Sequence, residues 1–311
     1  MDTALIYCSE YLQHDTGQHP ENAARHRAIA SALAGDDALQ ARVQKVSPQP
    51  ASDEDIERCH DPRLLRHLQS LCERGIPFVD LDTVICPASF RVAKLAAGAA
   101  VAAVDLVFTK EAQNAFAFVR PPGHHATSDR AMGFCLFNNA AVGARYAQAK
   151  YGAERVLIID WDVHHGNGTQ DIFYNDPSVF YFSTHQYPYY PGTGSKFETG
   201  DGEGIGTTLN IPLSAGTAAA AHREAFSEAL RVIERDFPPD LIVLSAGFDS
   251  QRGDPLGGLL LEDKDFVEMT KEVMEMADRN CEGRVISLLE GGYNLQTLGE
   301  TVRAHVKALA S

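Results

Sequence analysis

Positive charge is scarce in this chain: 27 lysines and arginines face 42 aspartates and glutamates, for a formal net charge of −15 at pH 7. A surface of that sign repels phosphate backbones and excludes non-specific nucleic-acid binding. It suits a cationic ligand such as a lysine-rich tail or a polyamine, but the simpler reading, that acidic charge keeps the protein in solution, takes precedence. The six cysteines (Cys8, Cys59, Cys72, Cys86, Cys135, Cys281) are scattered without a CxxC pair. That argues against a zinc ribbon or a disulfide scaffold and fits a reducing cytoplasm. No run approaches the roughly 18 apolar residues of a membrane span. The opening MDTALIYCSEYLQHD has neither the basic start nor the small-residue cleavage site of a signal peptide. The expectation is a cytoplasmic protein with no membrane partner. Internal repeats, low-complexity linkers and breaks in composition are lacking too, so residues 1–311 read as one domain.

What the chain does contain is a series of short apolar runs ending in polar or glycine-rich clusters. They are 4–8, 115–120, 155–164, 179–185, 207–213, 241–249 and 284–293. Their β-branched content, without clean alternation, predicts strands buried on both faces, as in a parallel sheet. Helix-like stretches at 90–109, 138–152, 219–237 and 262–280 lie between them. The fold class is therefore α/β: a central, mainly parallel sheet flanked by helices. Residues 9–90 read as mostly helix and loop, packed on one end of the sheet. In such sheets the chemistry gathers at the carboxyl ends of the strands.

The richest segment is IIDWDVHHGNGTQ (158–170), in which Asp160, Asp162 and His164 follow an apolar strand at spacing two. Strand alternation points all three to one side. A carboxylate and an imidazole leaving a strand end make half of a metal site. The alternative, a solvated loop before a helix, leaves acidic residues in a buried strand without a partner. A third ligand is available in LIVLSAGFDSQRGDPLGG (241–258), where Asp249 directly follows the apolar run. Asp254, between Gly253 and Pro255, reads as a turn residue. Two carboxylates and one histidine leave a coordination position open, the pattern of a catalytic metal. SLLEGGY (287–293) places Tyr293 at another strand end. Alone it is a packing residue; beside a metal a phenol can donate to a developing oxyanion. RPPGHHA (120–126), AMGFCLFNN (131–139) and YPYYPGTG (187–194) add two adjacent histidines, Phe134 beside Gly133, and loop aromatics.

In this order RPPGHHA, GFCLFNN, DWDVHHGNGTQ, PGTG, AGFDSQRGDPLGG and LEGGYNL, with HDTGQHPENAAR (14–25) before them, resemble the zinc-dependent histone deacetylase superfamily. The resemblance implies the arginase/deacetylase-like fold and one catalytic Zn2+ held by Asp162, His164 and Asp249. It implies that His125 is the general base and later acid, with His124 an electrostatic partner. Asp160 would orient His124, and Tyr293 would donate to the oxyanion. Asn167 stands where class I members carry an aspartate, and with LEGGYNL it points to the class II and bacterial deacetylase-like amidohydrolases. An amide there stabilises the imidazolium of His125 less than a carboxylate. Phe134, Gly133 and Tyr190 match the wall of an acyl-lysine channel, and Asp82 lies near the substrate-backbone acceptor. A structural K+ is implied near Asp160, Asp162 and His164, with Ser183.

The implied partner is an acylated lysine peptide or a small acylamine; a homo-oligomer is left open. An acetylpolyamine amidohydrolase is the nearest alternative, but its acidic gatekeeper position is Leu256 here. A two-manganese ureohydrolase would need further bridging carboxylates, and Ser250, Gln251, Gly166 and Asn167 do not supply them. A non-catalytic acyl-lysine binder would have lost Tyr293, a histidine or a ligand, and all are present.

Overall fold

The computed structural model describes residues 2–311. Eight parallel strands form one sheet: β1 (Thr3–Ile6), β2 (Val43–Val46), β3 (Asn114–Ala117), β4 (Val156–Asp160), β5 (Val179–Gln186), β6 (Thr208–Leu213), β7 (Leu241–Ala246) and β8 (Val285–Leu289). Their order across the sheet is β2-β1-β3-β8-β7-β4-β5-β6. The helices are α1 (Ala23–Ala34), α2 (Asp37–Gln40), α3 (Asp53–Glu57), α4 (Pro62–Glu73), α5 (Ser89–Phe108), α6 (Asn139–Tyr151), α7 (Asn167–Phe173), α8 (Ala219–Asp236), α9 (Asp263–Asn280) and α10 (Leu298–Leu309).

Two apolar cores sandwich the sheet. On one face α4, α5 and α6 bury Leu68, Ala96, Ala100, Ala140 and Ala144 with Ile158 and Ile286 beneath them or close by. On the other, α1, α8, α9 and α10 bury Ile29, Phe226, Phe266 and Val302 against Leu157, Ile159 and Leu244. Strands β3, β4, β7 and β8 are buried at every position, as continuous apolar runs in a doubly covered parallel sheet should be. The single α/β domain with a parallel sheet is thus as expected. β2 was not foreseen. Its sequence VQKV has no apolar run and it lies half-buried at the sheet edge, where pairing needs only one neighbour. Among the described residues, no helix is long and apolar enough to cross a membrane.

One local expectation changes. β4 ends at Asp160, so strand alternation does not bring Asp162 and His164 to its side. Side-chain bonds at spacing two do so instead: Asp160 Oδ1 accepts from Asp162 N (3.1 Å), and Asp162 Oδ1 accepts from His164 N (2.9 Å). Each aspartate closes the turn that carries the next site residue.

Candidate functional site

β3, β8, β7 and β4 are neighbours in the middle of the sheet. The loops leaving their carboxyl ends carry the histidine pair, Tyr293, Asp249, and the Asp160–His164 segment respectively. Parallel pairing therefore gathers into one place residues as far apart in sequence as His124 and Tyr293.

Asp162, His164 and Asp249 are buried, and their ligand-type atoms lie within 4.8 Å of one another. His164 Nδ1 is 3.0 Å from Asp162 Oδ1 and 3.3 Å from Asp249 Oδ2. The outer oxygens are fixed by backbone: Asp162 Oδ2 accepts from Gly291 N (2.7 Å), and Asp249 Oδ1 from Val163 N (2.8 Å). A Cβ on Gly291 would overlap Asp249 Oδ2 and crowd Asp162 Oδ2, so only glycine fits there. Asp249 Oδ2 is fully buried without a hydrogen-bond donor. Burial and the neighbouring Asp162 push the Asp249 carboxyl up from its ordinary range. An unsatisfied buried carboxylate is costly, and a divalent cation would relieve both the missing partner and the like-charge repulsion. The donor set fits zinc, two carboxylate oxygens and one imidazole nitrogen.

His124, Cys135 and Glu290 form a second such group, but its donors are already engaged. Glu290 Oε2 accepts from Gly123 N (2.6 Å) and His124 N (3.1 Å), and Oε1 from Ser245 Oγ (3.1 Å). Burial pushes the Cys135 thiol well above its usual value, so it is no ready metal ligand.

The two adjacent histidines lie with ring centroids 4.0 Å apart and differ in their partners. His124 Nδ1 donates to Asp160 Oδ2 (3.0 Å). Burial alone would lower the His124 pKa, but Asp160, Asp162 and Glu290 outweigh it and raise it to about 10. His125 Nδ1 donates to the neutral Asn167 Oδ1 (2.8 Å). Burial, then the facing His124 and His164, lowers its pKa well below 6.5. The different partners thus push the two rings in opposite directions, His124 towards the cation and His125 towards the neutral form.

Tyr293 is half-buried, and its backbone N–H donates to Asp254 Oδ2 (2.7 Å). Asp254 is a turn residue as expected, accepting also from Leu256 N (2.9 Å). It additionally pins Tyr293 and Asn294, which the sequence did not suggest. Burial raises the Tyr293 phenol well above 10 against the opposing Arg25, so it remains a donor. Phe134 meets the Tyr293 ring edge-on at 6.0 Å, and Gly133 packs on the His125 ring with φ +56°. Tyr190 meets His125 edge-on at 5.2 Å. Burial, and then the nearby Asp82, raise the Tyr190 phenol, and the Asp82 loop is tied to Phe134 N through Thr83 Oγ1 (3.2 Å). Leu256 is half-buried, two residues after Asp254. Ser183 pairs with Asp160 in the sheet register, its hydroxyl 2.9 Å from His185 Nδ1.

Other residues here were not singled out. Tyr189 stacks on His164 at 5.5 Å. Glu290 underlies the histidine turn. Arg25 lies 4.8 Å from the Tyr293 ring centre and donates to Gly292 O (2.6 Å) and Glu290 O (2.5 Å). Glu21 and Arg120 complete a buried cluster with it. The signal for Glu290 was available: a charged residue ending a buried run, the reasoning already applied to Asp160. A separate cavity of about 640 Å3 beside β1 and β2, floored by Leu5, Leu33 and Phe118, contains none of these groups.

A parallel α/β sheet whose central strand ends converge on two buried carboxylates and three histidines defines a hydrolase-type site at a topological switch point. Comparison with known proteins gives the family. The histone deacetylase domain matches residues 19–309, and the chain belongs to that family. A probable deacetylase of Archaeoglobus fulgidus is 40% identical over 298 residues, 95% of this chain and 82% of its own. The histone deacetylase-like amidohydrolase of Pseudomonas aeruginosa is 42% identical over 280 residues, covering 89% of this chain and 73% of the relative. The crystal structure of the HDA15 HD domain superposes with a TM-score of 0.95 at 38% identity, over 99% of this chain and 88% of that one. The family is one of deacetylases and amidohydrolases acting on acylated amines.

Proposed function

We propose that residues 1–311 form one catalytic domain, a zinc-dependent amidohydrolase that removes acetyl or other acyl groups from N-acylated amines. Acyl-lysine side chains are the main substrate class. The observation that carries this reading is the donorless Asp249 Oδ2 beside His164, next to two adjacent histidines, one bonded to a carboxylate and the other to an amide.

Asp162, His164 and Asp249 would hold the ion. When bound, zinc supplies Lewis-acid polarisation of the amide carbonyl and lowers the pKa of water. His125 takes the proton of the attacking water at Nε2, while its Nδ1 remains on Asn167. It then delivers that proton to the leaving nitrogen, so amide and water become carboxylate and amine. His124 stays cationic, oriented by Asp160, and contributes positive field. Tyr293 donates its O–H to the carbonyl oxygen as negative charge grows there. Phe134, Gly133 and Tyr190 wall the acyl channel, Leu256 lies beside it, and Asp82 at the rim accepts from the substrate backbone. A structural K+ would sit beside Ser183 and the Asp160–His164 main chain. Asn167 and LEGGYNL support a class II-like bacterial enzyme, working in the cytoplasm as a monomer or a homo-oligomer.

The net charge of −15 favours one second reading, deacetylation of acetylpolyamines. A turnover panel of acetyl-lysine peptides, longer acyl-lysines, acetylputrescine and aryl acetamides, with and without a zinc chelator, decides between them. Acyl-lysine peptides should turn over fastest, and the chelator should stop the reaction. Chelator-insensitive turnover, or none on any amide, would overturn the proposal, and acetylputrescine outpacing the peptides would select the second reading.

A further inference from the structure

Tyr189 and Tyr190 reach the site from a loop that leaves the sheet after β5 and is tied to the sheet near its two ends, by Tyr187 N on Leu213 O (2.8 Å) and Asn210 Nδ2 on Glu198 O (3.2 Å). Its far end turns back at Gly194 and Ser195, and what fixes the turn is the carboxylate of Glu198. Glu198 Oε1 accepts from Ser195 N (2.9 Å) and Gly194 N (3.2 Å), and Oε2 accepts from Gly194 N (3.1 Å). Oε2 also accepts from Gln170 Nε2 on α7 (2.6 Å).

The same glutamine leads back to the metal end. Gln170 Oε1 accepts from Asn210 Nδ2 (2.7 Å) and from His165 Nε2 (3.0 Å). With Nε2 donating, His165 Nδ1 accepts from Thr193 Oγ1 (2.7 Å), inside the loop. His185 Nε2 donates to Gly194 O (2.9 Å). Glu198 is half-buried and forms no ion pair among the described residues. Lys196, two residues away, lies over Phe197 instead. An anion held only by neutral N–H donors makes stronger hydrogen bonds than a neutral acceptor would. It is a latch whose loss frees the loop at one point.

We propose that Glu198 is a positioning residue that fixes the Tyr189–Tyr190 wall and thereby sets the acyl length the channel accepts. The substrate half of this inference rests on the reading of the chain as a deacylase; the latch itself does not. Glu198→Ala removes the acceptor, and Glu198→Gln keeps one acceptor oxygen while turning an NH2 towards donors.

Two measurements on the full chain test it. Hydrogen exchange followed by mass spectrometry should show Glu198→Ala accelerating exchange within 187–199 and leaving β4, β7 and β8 unchanged. Steady-state kinetics on acetyl-lysine and longer acyl-lysine peptides should show KM for the acetyl peptide rising about tenfold, with kcat altered far less, as misplacement of a wall predicts. The ratio of longer-acyl to acetyl kcat/KM should rise, Glu198→Gln should fall between, and zinc content should match the parent protein. Unchanged exchange in 187–199, an unchanged acyl ratio, or a uniform rise in exchange with loss of zinc would each overturn the proposal. If the parent protein hydrolyses no amide, the deacylase reading fails, and the exchange measurement still decides the latch.

Discussion

Two buried charged clusters lie side by side beneath this site, and only one of them is complete. In the first, Glu21 receives Arg120 Nε (2.6 Å) and Arg25 Nη1 (3.1 Å) on Oε1, and Arg120 Nη2 (2.9 Å) on Oε2. Three further arginine N–H groups donate to the carbonyls of Tyr11, Gly292 and Glu290, and no nitrogen or oxygen atom of the three side chains lacks a partner. In the second, Asp162, His164 and Asp249 have too few donors for their oxygens, and Asp249 Oδ2 has none. Burial is the same in both. The difference separates a scaffold, which satisfies itself, from a site, which needs something from outside.

Removing Asp249 should break the second cluster with the largest effect. Asp249→Ala is expected to lower bound zinc, by elemental analysis, to a small fraction of one ion per chain. Turnover should fall to background and not return on adding zinc. A parent protein stripped by chelator should regain activity with zinc. Full zinc occupancy in Asp249→Ala would remove it from the ligand set.

Arg120→Ala tests the first cluster, and there the loss should appear as stability. Breaking a buried pair by removing one partner costs about 3–5 kcal/mol, measurable by urea unfolding of the zinc-free chain. The effect depends on pH in a defined direction. Burial would raise the Glu21 carboxyl, but Arg120 and Arg25 outweigh it and hold it below the ordinary 4.5. The stabilisation is therefore in place above about pH 4.5 and disappears as the pH falls further. A variant as stable as the parent at neutral pH would show that the completed network contributes nothing.

Tyr293→Phe sharpens the contrast, since Tyr293 borders both clusters. Zinc content and unfolding midpoint should hold, and turnover should drop about a hundredfold, the scale of one lost oxyanion donor. Equal turnover would return Tyr293 to a packing role.

Much of this was legible in the residues. The two-sided burial of β4, β7 and β8 follows from their unbroken apolar runs, and the residues just past those runs are the ones the sheet collects. What was not legible depends on long-range pairing. Nothing local in HPENAAR marks Glu21 as the partner of Arg120, 99 positions away. Likewise VQKV carries no strand pattern of its own, because an edge strand borrows its order from β1. The expected strand alternation of Asp160, Asp162 and His164 gave the right grouping for a different reason, the side-chain bonds at spacing two. Asp254 was legible as a turn residue and illegible as the clamp on Tyr293, since that contact spans 39 positions.

The smallest effect is expected inside the histidine pair. Asp160→Asn keeps the shape and an acceptor for His124 Nδ1 but removes the negative charge. Burial then faces weaker opposition, so the His124 pKa must move down from about 10. If cationic His124 supplies field to the reaction, activity is lost as that ring deprotonates. The alkaline limb of kcat/KM therefore lies at lower pH in the variant than in the parent protein. The acid limb should stay where it is, because it belongs to His125, which pairs with Asn167 and lies well below 6.5. The raised His124 pKa also contributes folding stability that is complete below pH 6.5 and is lost as the pH approaches 10, so the variant's deficit should fade over that range. An unmoved alkaline limb would show that the different partners of two adjacent histidines do not set their different charges.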